Sequence, residues 1–391
     1  MDRRSFLVSL AAANASAQTP PRIRLGVIGS GGRGTLVMQT FQRDPGLDVK
    51  AICDVYEPNL ESALSKAPGS KAYRDYRKLL EDREIDAVLI ATPEHWHHRQ
   101  VLDAMAAGKD VYVEKPLCQT PEQGVELVRA EKESRQIVQV GMQRRSYDLY
   151  LEGSKIVAAG ELGNIRMVRS WWLNNYLDTK PPAKLQGKLD WDQWQGPMPR
   201  RAFDVDIFRN WRQHADYASG IVGDQGAHVF DGIHLLMHAS YPLAVTAAAG
   251  KPHREGFDTP ESMVVTAEYP EDFIGVFSIN YAAMRYKGRN DQLNQLDGDK
   301  ARMDIGREEL KVFAQGSEDT PVMLKTSAKG FGFATDLHVQ NFLDCVRTRK
   351  RPAAPMELGF QAALVVQLAN LSLRHGRRMR WNHKLQKVEF S

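Results

Sequence analysis

The chain has 391 residues, 42% of them hydrophobic and 26% charged, with a formal net charge of +4. That length predicts two domains with substantial cores. The charge is too small and too dispersed for a nucleic-acid partner, and no uninterrupted apolar run approaches the roughly 20 residues of a membrane span, so neither is expected. Three cysteines, Cys53, Cys118 and Cys345, can neither pair completely nor offer metal-ligand spacing.

Residues 1–17 read as an address. Arg3 and Arg4 precede a short apolar stretch from Phe6 to Ala13, and Ala15-Ser16-Ala17 supplies the small residues that signal peptidase accepts. A twin-arginine signal of this kind predicts export in the folded state, to the periplasm or outside the cell.

The segment Ile23-Arg-Leu-Gly-Val-Ile28 predicts a strand that runs into Gly29-Ser-Gly-Gly-Arg-Gly34 and then a helix to about Phe41. Glycines at 29, 31 and 34 match G-x-G-x-x-G in the strand-before, helix-after context that a dinucleotide site needs. The first permits a tight turn, the second lets backbone approach a pyrophosphate, and the third lets helix and strand pack closely. A second strand, Val49 to Cys53, ends in Asp54, where a carboxylate can bind ribose hydroxyls and repel a 2′-phosphate. NAD is therefore favoured over NADP, although the Arg33 guanidinium could offset part of that repulsion. Strand-like runs at 23–28, 48–53, 86–91, 110–114 and 136–140 alternate with helical ones, which predicts a doubly wound parallel sheet over residues 22–145.

Within it, the apolar run from Val88 ends at Thr92-Pro93, a helical segment runs from His95 to Ala107 and stops at Gly108, and a further apolar run delivers Glu114-Lys115-Pro116. Ligands of open parallel sheets bind outside the carboxyl ends of the strands, so Thr92, Pro93, Glu114 and Lys115 are expected to face one crevice. Taken alone, Lys115 reads as a solvated strand-end lysine.

Residues 146–391 predict a second domain. Leu149 to Gly160 reads as a helix, and Asn164 to Trp172 alternates as a strand with Ile165, Met167 and Val168 turned inward. Residues 174–216, with Trp191, Trp194 and Trp211, show no regular period and read as a long insertion that covers the sheet or walls a cleft. Tryptophan faces suit sugar rings, but the same residues could simply anchor a loop. Asp224, His228 and Asp231 then recur at helical spacing, so an Asp224 carboxylate could orient a His228 imidazole for proton transfer; an N-cap aspartate with a core histidine fits the same spacing. Met263–Tyr269 and Phe273–Tyr281 predict a hairpin, Ala301–Ile305 and Glu309–Phe313 further strands, and Asp336–Thr348 and Glu357–Leu373 amphipathic helices.

The ordered motifs Gly29-Ser-Gly-Gly-Arg-Gly34, Thr92-Pro93-Glu94-His95-Trp96-His97, Ala107-Gly108-Lys109-Asp110-Val111 and Glu114-Lys115-Pro116 resemble those of the Gfo/Idh/MocA oxidoreductases across nearly the whole chain. The resemblance implies an α/β protein: an N-terminal Rossmann domain, then an α/β domain with a large, mostly antiparallel open sheet that forms homo-oligomers, its last helix packing back on the Rossmann domain. It implies that Gly29, Gly31, Gly32, Arg33, Gly34, Asp54, Thr92, Pro93, His97, Glu114, Lys115 and Gln143 hold NAD. It further implies that His228 accepts a hydroxyl proton, Lys115 stabilises the alkoxide and Asp224 orients the pair. The substrate class implied is a sugar, sugar derivative or cyclitol that gives hydride to a tightly bound cofactor. Two alternatives stand beside this: a glycoside hydrolase working by transient C3 oxidation, disfavoured because the Tyr-Pro-Thr-His run of such enzymes is missing, and a non-catalytic nucleotide-bound scaffold or sensor.

Overall fold

The structure, a computed structural model, describes residues 22–175, 183–284, 292–317 and 319–390; the twin-arginine stretch lies outside them. The chain begins with β1 (Ile23–Ile28), α1 (Gly32–Phe41), β2 (Leu47–Cys53), α2 (Glu57–Leu64), β3 (Lys71–Tyr73), α3 (Tyr76–Glu81), β4 (Ala87–Ile90), α4 (His97–Ala106), β5 (Asp110–Val113), α5 (Pro121–Glu133) and β6 (Val138–Val140). The six strands form one parallel sheet in the order β3-β2-β1-β4-β5-β6. Helices cover both faces, so β4 and β5 are buried at every residue and read as apolar runs without alternation. The order reverses between β1 and β4, which opens a crevice beyond their carboxyl ends. The short strand β3 was not anticipated; three residues with no buried side chain carry no periodic signal.

There follow α6 (Asp148–Ala158), β7 (Ile165–Leu173), α7 (Trp191–Gln195), α8 (Val205–Arg209), α9 (Ala227–Met237), β8 (Ala244–Ala249), β9 (Ser262–Glu268), β10 (Ile274–Asn280), β11 (Gln292–Gly298), β12 (Ala301–Ile305), β13 (Glu309–Ala314), β14 (Met323–Thr326), α10 (Ala334–Thr348), α11 (Met356–His375), β15 (Met379–Asn382) and β16 (Lys387–Phe390). Ten strands form the second sheet, in the order β14-β13-β12-β11-β7-β10-β9-β8-β15-β16, with β7–β10 its one parallel pair. On β10 every second residue is buried, Phe277 packing edge-on against Phe230 of α9.

On β7 the inward phase is Val168, Ser170 and Trp172, one residue out of step with the expectation for Ile165 and Met167. The reason is polar: Ser170 donates to Asn294 (2.6 Å), whose amide donates in turn to Tyr150 (3.0 Å), so the buried face carries a serine while Met167 and Trp171 lie on the more open one. A one-residue shift moves the whole strand to the other face.

Two helices, not only the last, return to the parallel sheet. Phe342 of α10 meets Phe41 and Tyr112 edge-on, and Arg347 grips Asp44 through two bonds (2.7 and 3.0 Å). The length and hydropathy of α11 would suit a membrane span, but most of it is buried: it is the core helix joining α5 to α9 and β8. Gly124 permits this approach, because a Cβ there would lie 2.1 Å from the Phe360 ring.

Candidate active site

The carboxyl ends of β1, β2, β4 and β5 open into a cavity of about 540 Å³, a volume suited to a small ligand or cofactor. At one end is the glycine turn. Gly29 has φ +85°, and a Cβ on Gly34 would sit 2.0 Å from the Gly29 carbonyl oxygen, so both must be glycine for α1 to start against β1. A Cβ on Gly31 would meet only Asn59 at 3.7 Å, and one on Gly32 would meet nothing within 4 Å. These two leave bare backbone at the start of α1, where no side chain caps the free N–H groups. That is the arrangement an anionic pyrophosphate needs.

Asp54 braces this turn. Its Oδ2 accepts from Ser30 N (2.8 Å) and Ser30 Oγ (3.2 Å), and its Oδ1 from Tyr56 N (2.9 Å), which leaves Oδ1 an acceptor site for a hydroxyl. Burial raises its pKa despite those bonds. Arg33 is paired with Glu114 through Nε (2.8 Å), and with the Gln143 amide turned over, its oxygen accepts from the guanidinium and its NH₂ donates to the Gly141 carbonyl. Arg33 is thus committed to Glu114 and does not offset the Asp54 charge, which strengthens the preference for NAD. The residues present fit this cofactor.

Thr92 and Pro93 line the cavity, and Thr92 Oγ1 donates to Gln100 (2.7 Å). His97, expected to hold the cofactor, lines the cavity with both ring nitrogens turned to backbone carbonyls. Its Nδ1 faces the Pro116 carbonyl (2.7 Å) and its Nε2 the Thr92 carbonyl (2.9 Å), so the ring pins the two strand-end loops together and keeps neither nitrogen for a ligand. Burial holds its pKa below the usual imidazole value, although only the protonated ring could donate to both carbonyls.

Past Thr92 lies the reactive group of side chains. Residues Val222–Gly226 form a single π-helical turn ahead of α9, a device frequent at functional sites. It changes the phase that α-helical spacing predicted. Asp224 bonds Lys115, while only its charge acts on His228: Lys115 Nζ donates to the Asp224 carbonyl and to its Oδ1 (3.1 Å), the two side chains being 14% and 20% exposed. Arg212 Nε lies 3.4 Å from the same Oδ1, while Oδ2 accepts from Tyr281 (2.9 Å) and Gln225 (3.1 Å). Burial pushes the Asp224 pKa up, but the Lys115 and Arg212 charges outweigh it and hold the carboxylate well below its ordinary range. Asp231, expected on the same face, is buried on α9 and paired with Arg145 Nε (2.5 Å).

His228 makes no hydrogen bond among the described residues. Burial, with the positive charges of Lys115, Arg144 and Arg33, holds its pKa well below 6.5, so it faces the cavity as a neutral base. Glu94, passed over in the sequence as part of a motif, stands in the cavity wall near Lys115 and Asp224. Only 3% exposed, it accepts Ser219 N–H (2.7 Å), and burial raises its pKa to about 7. Its signal was its place directly after Thr92-Pro93 at a strand end. Arg144 and Arg212 were also missed and also line the cavity.

The aromatic insertion both anchors and walls. Trp191 stacks on Trp194 (4.8 Å, 11°), and the Trp194 carbonyl receives His95 Nε2 (2.8 Å) and Trp96 Nε1 (3.0 Å). Tyr56 pairs with Leu189 and bonds the Gln186 carbonyl (2.7 Å), fastening the insertion to the parallel-sheet side. So anchored, it turns Gln193, Trp194, Trp211 and Arg212 towards the cavity.

Comparison with known proteins agrees with this layout. Residues 23–142 match an oxidoreductase family described by its NAD-binding Rossmann fold, and residues 155–380 match its C-terminal alpha/beta domain. The chain is 35% identical over 150 residues to inositol 2-dehydrogenase 2 of Saccharopolyspora erythraea, covering 38% of this chain and 44% of the relative. It is also 35% identical over 151 residues to an inositol 2-dehydrogenase of Klebsiella pneumoniae subsp. pneumoniae, covering 38% and 44%. The match thus spans less than half the length of these relatives. In fold it is similar to a levoglucosan dehydrogenase solved with NADH and levoglucosan (TM-score 0.75, 18% identity, 92% of this chain and 99% of that one). It is likewise similar to GenD2 from gentamicin A biosynthesis solved with NAD (0.73, 18%, 98% and 99%). With both domains matched in order over most of its length, the chain belongs to the Gfo/Idh/MocA family of NAD-binding oxidoreductases.

Proposed function

We propose that the protein oxidises a secondary hydroxyl of a sugar, sugar derivative or cyclitol, or reduces the corresponding ketone, using a tightly held NAD. The observation that carries this reading is the group Lys115, Asp224 and neutral His228 in one aromatic-walled cavity that continues into the glycine turn. Bound NAD supplies the two-electron acceptor for the hydride leaving the carbinol carbon. Lys115, held in place by the carboxylate and carbonyl of Asp224, donates to the substrate oxygen and stabilises negative charge as it forms there. His228, uncharged and without a competing partner, takes the hydroxyl proton. Trp194 and Trp211 offer faces for the C–H side of a sugar ring.

Retention of the cofactor connects this chemistry to the twin-arginine stretch: an exported enzyme cannot draw on a cytoplasmic pool, so we read the protein as loaded before export and recycled in place. The sheet face opposite α9, where Val264 and Leu324 are exposed, is our choice for self-association, tested by light scattering on Val264→Asp.

To test the reaction, purified protein is mixed with sugars, cyclitols and aryl glycosides with no nucleotide added, while reduced-nicotinamide absorbance and the NAD released on denaturation are measured. Reduction with one sugar class, lost in Lys115→Ala with NAD content unchanged, is the expected outcome. Full turnover in Lys115→Ala overturns the assignment, and aglycone release would replace it with hydrolysis.

A further inference from the structure

Resting on the dehydrogenase reading above, we propose that the substrate is an acidic sugar whose carboxylate is seated on Arg144. This residue follows Gln143 in the turn after β6 and lines the same cavity as Lys115, His228, Trp172 and Phe331. It is 4% exposed, and its Nη2 donates to the neutral amide oxygen of Gln292 (3.1 Å). Its Nε and Nη1 have no partner among the described residues. A guanidinium stays protonated in any protein, and a buried charge is costly unless it is paired. Arg144 is partly compensated by ring faces, its central carbon lying 5.3 Å from Tyr150, 5.8 Å from Trp172 and 6.0 Å from Phe331. Rings do not accept hydrogen bonds as a carboxylate does.

The neighbouring arginine shows the difference. Arg145, its side chain 8% exposed, is matched by Asp231. The second oxygen of Asp231 finds no donor either: the Arg144 charge acts on this carboxylate, but no hydrogen bond joins the two. Had Arg144 served only to hold the fold, closing that gap would have satisfied both groups.

Charge around the reacting end points the same way. Lys115, Arg144 and Arg212 line it against Asp224 and Glu94, and burial keeps Glu94 partly protonated near neutrality. A neutral sugar would leave the Arg144 Nε and Nη1 groups, which water already does not reach, without an acceptor. A carboxylate would fill them with a planar, bidentate partner. A phosphate fits less well, because the groups around Arg144 are aromatic rings and not the further N–H donors that a dianion requires.

The test uses the full-length, NAD-loaded protein and pairs of uronic or aldonic acids with their neutral parent sugars. Binding is read by quenching of tryptophan fluorescence, which needs no turnover, and reaction by nicotinamide reduction. We expect one acid to bind at least about tenfold more tightly than its parent, as for gain of a charge-assisted hydrogen bond. Arg144→Gln should erase that preference and melt at the same or a higher temperature, because it removes an unpaired buried charge; Arg144→Lys should keep part of it. Equal or tighter binding of every neutral parent, no binding of any acid, or a preference that survives Arg144→Gln overturns the proposal. So does tighter binding of a sugar phosphate than of any acid. The comparison on the unaltered protein decides the matter even if Arg144→Gln fails to fold. Preference without nicotinamide reduction would sink the dehydrogenase reading and leave the acid subsite standing, whereas reduction of a neutral sugar without preference would do the reverse.

Discussion

Glu94 gives the most direct test of the electrostatics of the cavity. Its carboxyl is almost wholly buried, and one backbone N–H and the Lys115 charge do not overcome that burial, so its pKa rises from the ordinary 4.5 to about 7. A carboxyl raised in the folded state binds a proton on folding. Its contribution is therefore fully present below about pH 4.5 and is lost as pH rises through about 7. A shift of roughly 2.5 units corresponds to about 3 kcal/mol, of which about 2.5 kcal/mol falls between about pH 5 and about pH 8.5. Glu94→Gln retains the size of the side chain and an acceptor for Ser219 N–H but does not titrate. Urea denaturation of both proteins at the two pH values should show the variant gaining about 2 to 3 kcal/mol relative to wild type at the higher pH. A difference constant to within about 0.5 kcal/mol would refute the reasoning, since it would mean that Glu94 titrates alike in the folded and unfolded chain.

Three further outcomes follow from the same geometry. Because burial and three nearby cations depress His228, the acid limb of a pH profile of kcat/KM should fall below 6.5, and a limb at or above that value would remove His228 as the base. Asp224→Asn leaves Lys115 near one neutral amide in place of its carboxylate, so turnover should fall about a hundredfold, as for loss of one oxyanion contact, with NAD content unchanged; loss of NAD instead would assign Asp224 to the cofactor. Gly31→Ala, with open space ahead of its Cβ, should melt close to wild type yet release little NAD on denaturation, whereas Gly34→Ala, 2.0 Å from a carbonyl oxygen, should lose about 2 kcal/mol or more of stability; equal melting of the two would contradict the packing argument.

What was legible in the sequence had a period or a fixed spacing behind it. The parallel sheet announced itself because helices bury both faces of its strands, leaving apolar runs bounded by glycine, and the glycine turn because only glycine can have its carbonyl neighbours so near. The strands β8, β11, β14, β15 and β16 were silent. Two of them are four-residue edge segments with exposed positions, and β11 is Gln-Leu-Asn-Gln-Leu-Asp-Gly, whose buried side chains include Gln292 and Asn294. The place of β11 is set by polar partners such as Ser170 on β7, which pattern reading along one segment does not reveal.

The centre of the cavity failed to read for a related reason. Asp224 and His228 were paired on the assumption of 3.6 residues per turn, but a π turn intervenes and sends the carboxylate to Lys115, a residue 109 positions earlier. The residue types, and through the family resemblance the placing of Asp224 with Lys115, were therefore recoverable, while helical spacing alone did not give that contact. The same division explains Arg144 and Arg145, adjacent and chemically identical in sequence. One meets Asp231 on α9 and becomes structural, while the other meets three rings and an amide and keeps two nitrogens unmatched. Only the fold distinguishes a guanidinium that has already found its anion from one that has not, and in a cavity that also holds Lys115 and a neutral imidazole, the unmatched one is where a substrate has most to contribute.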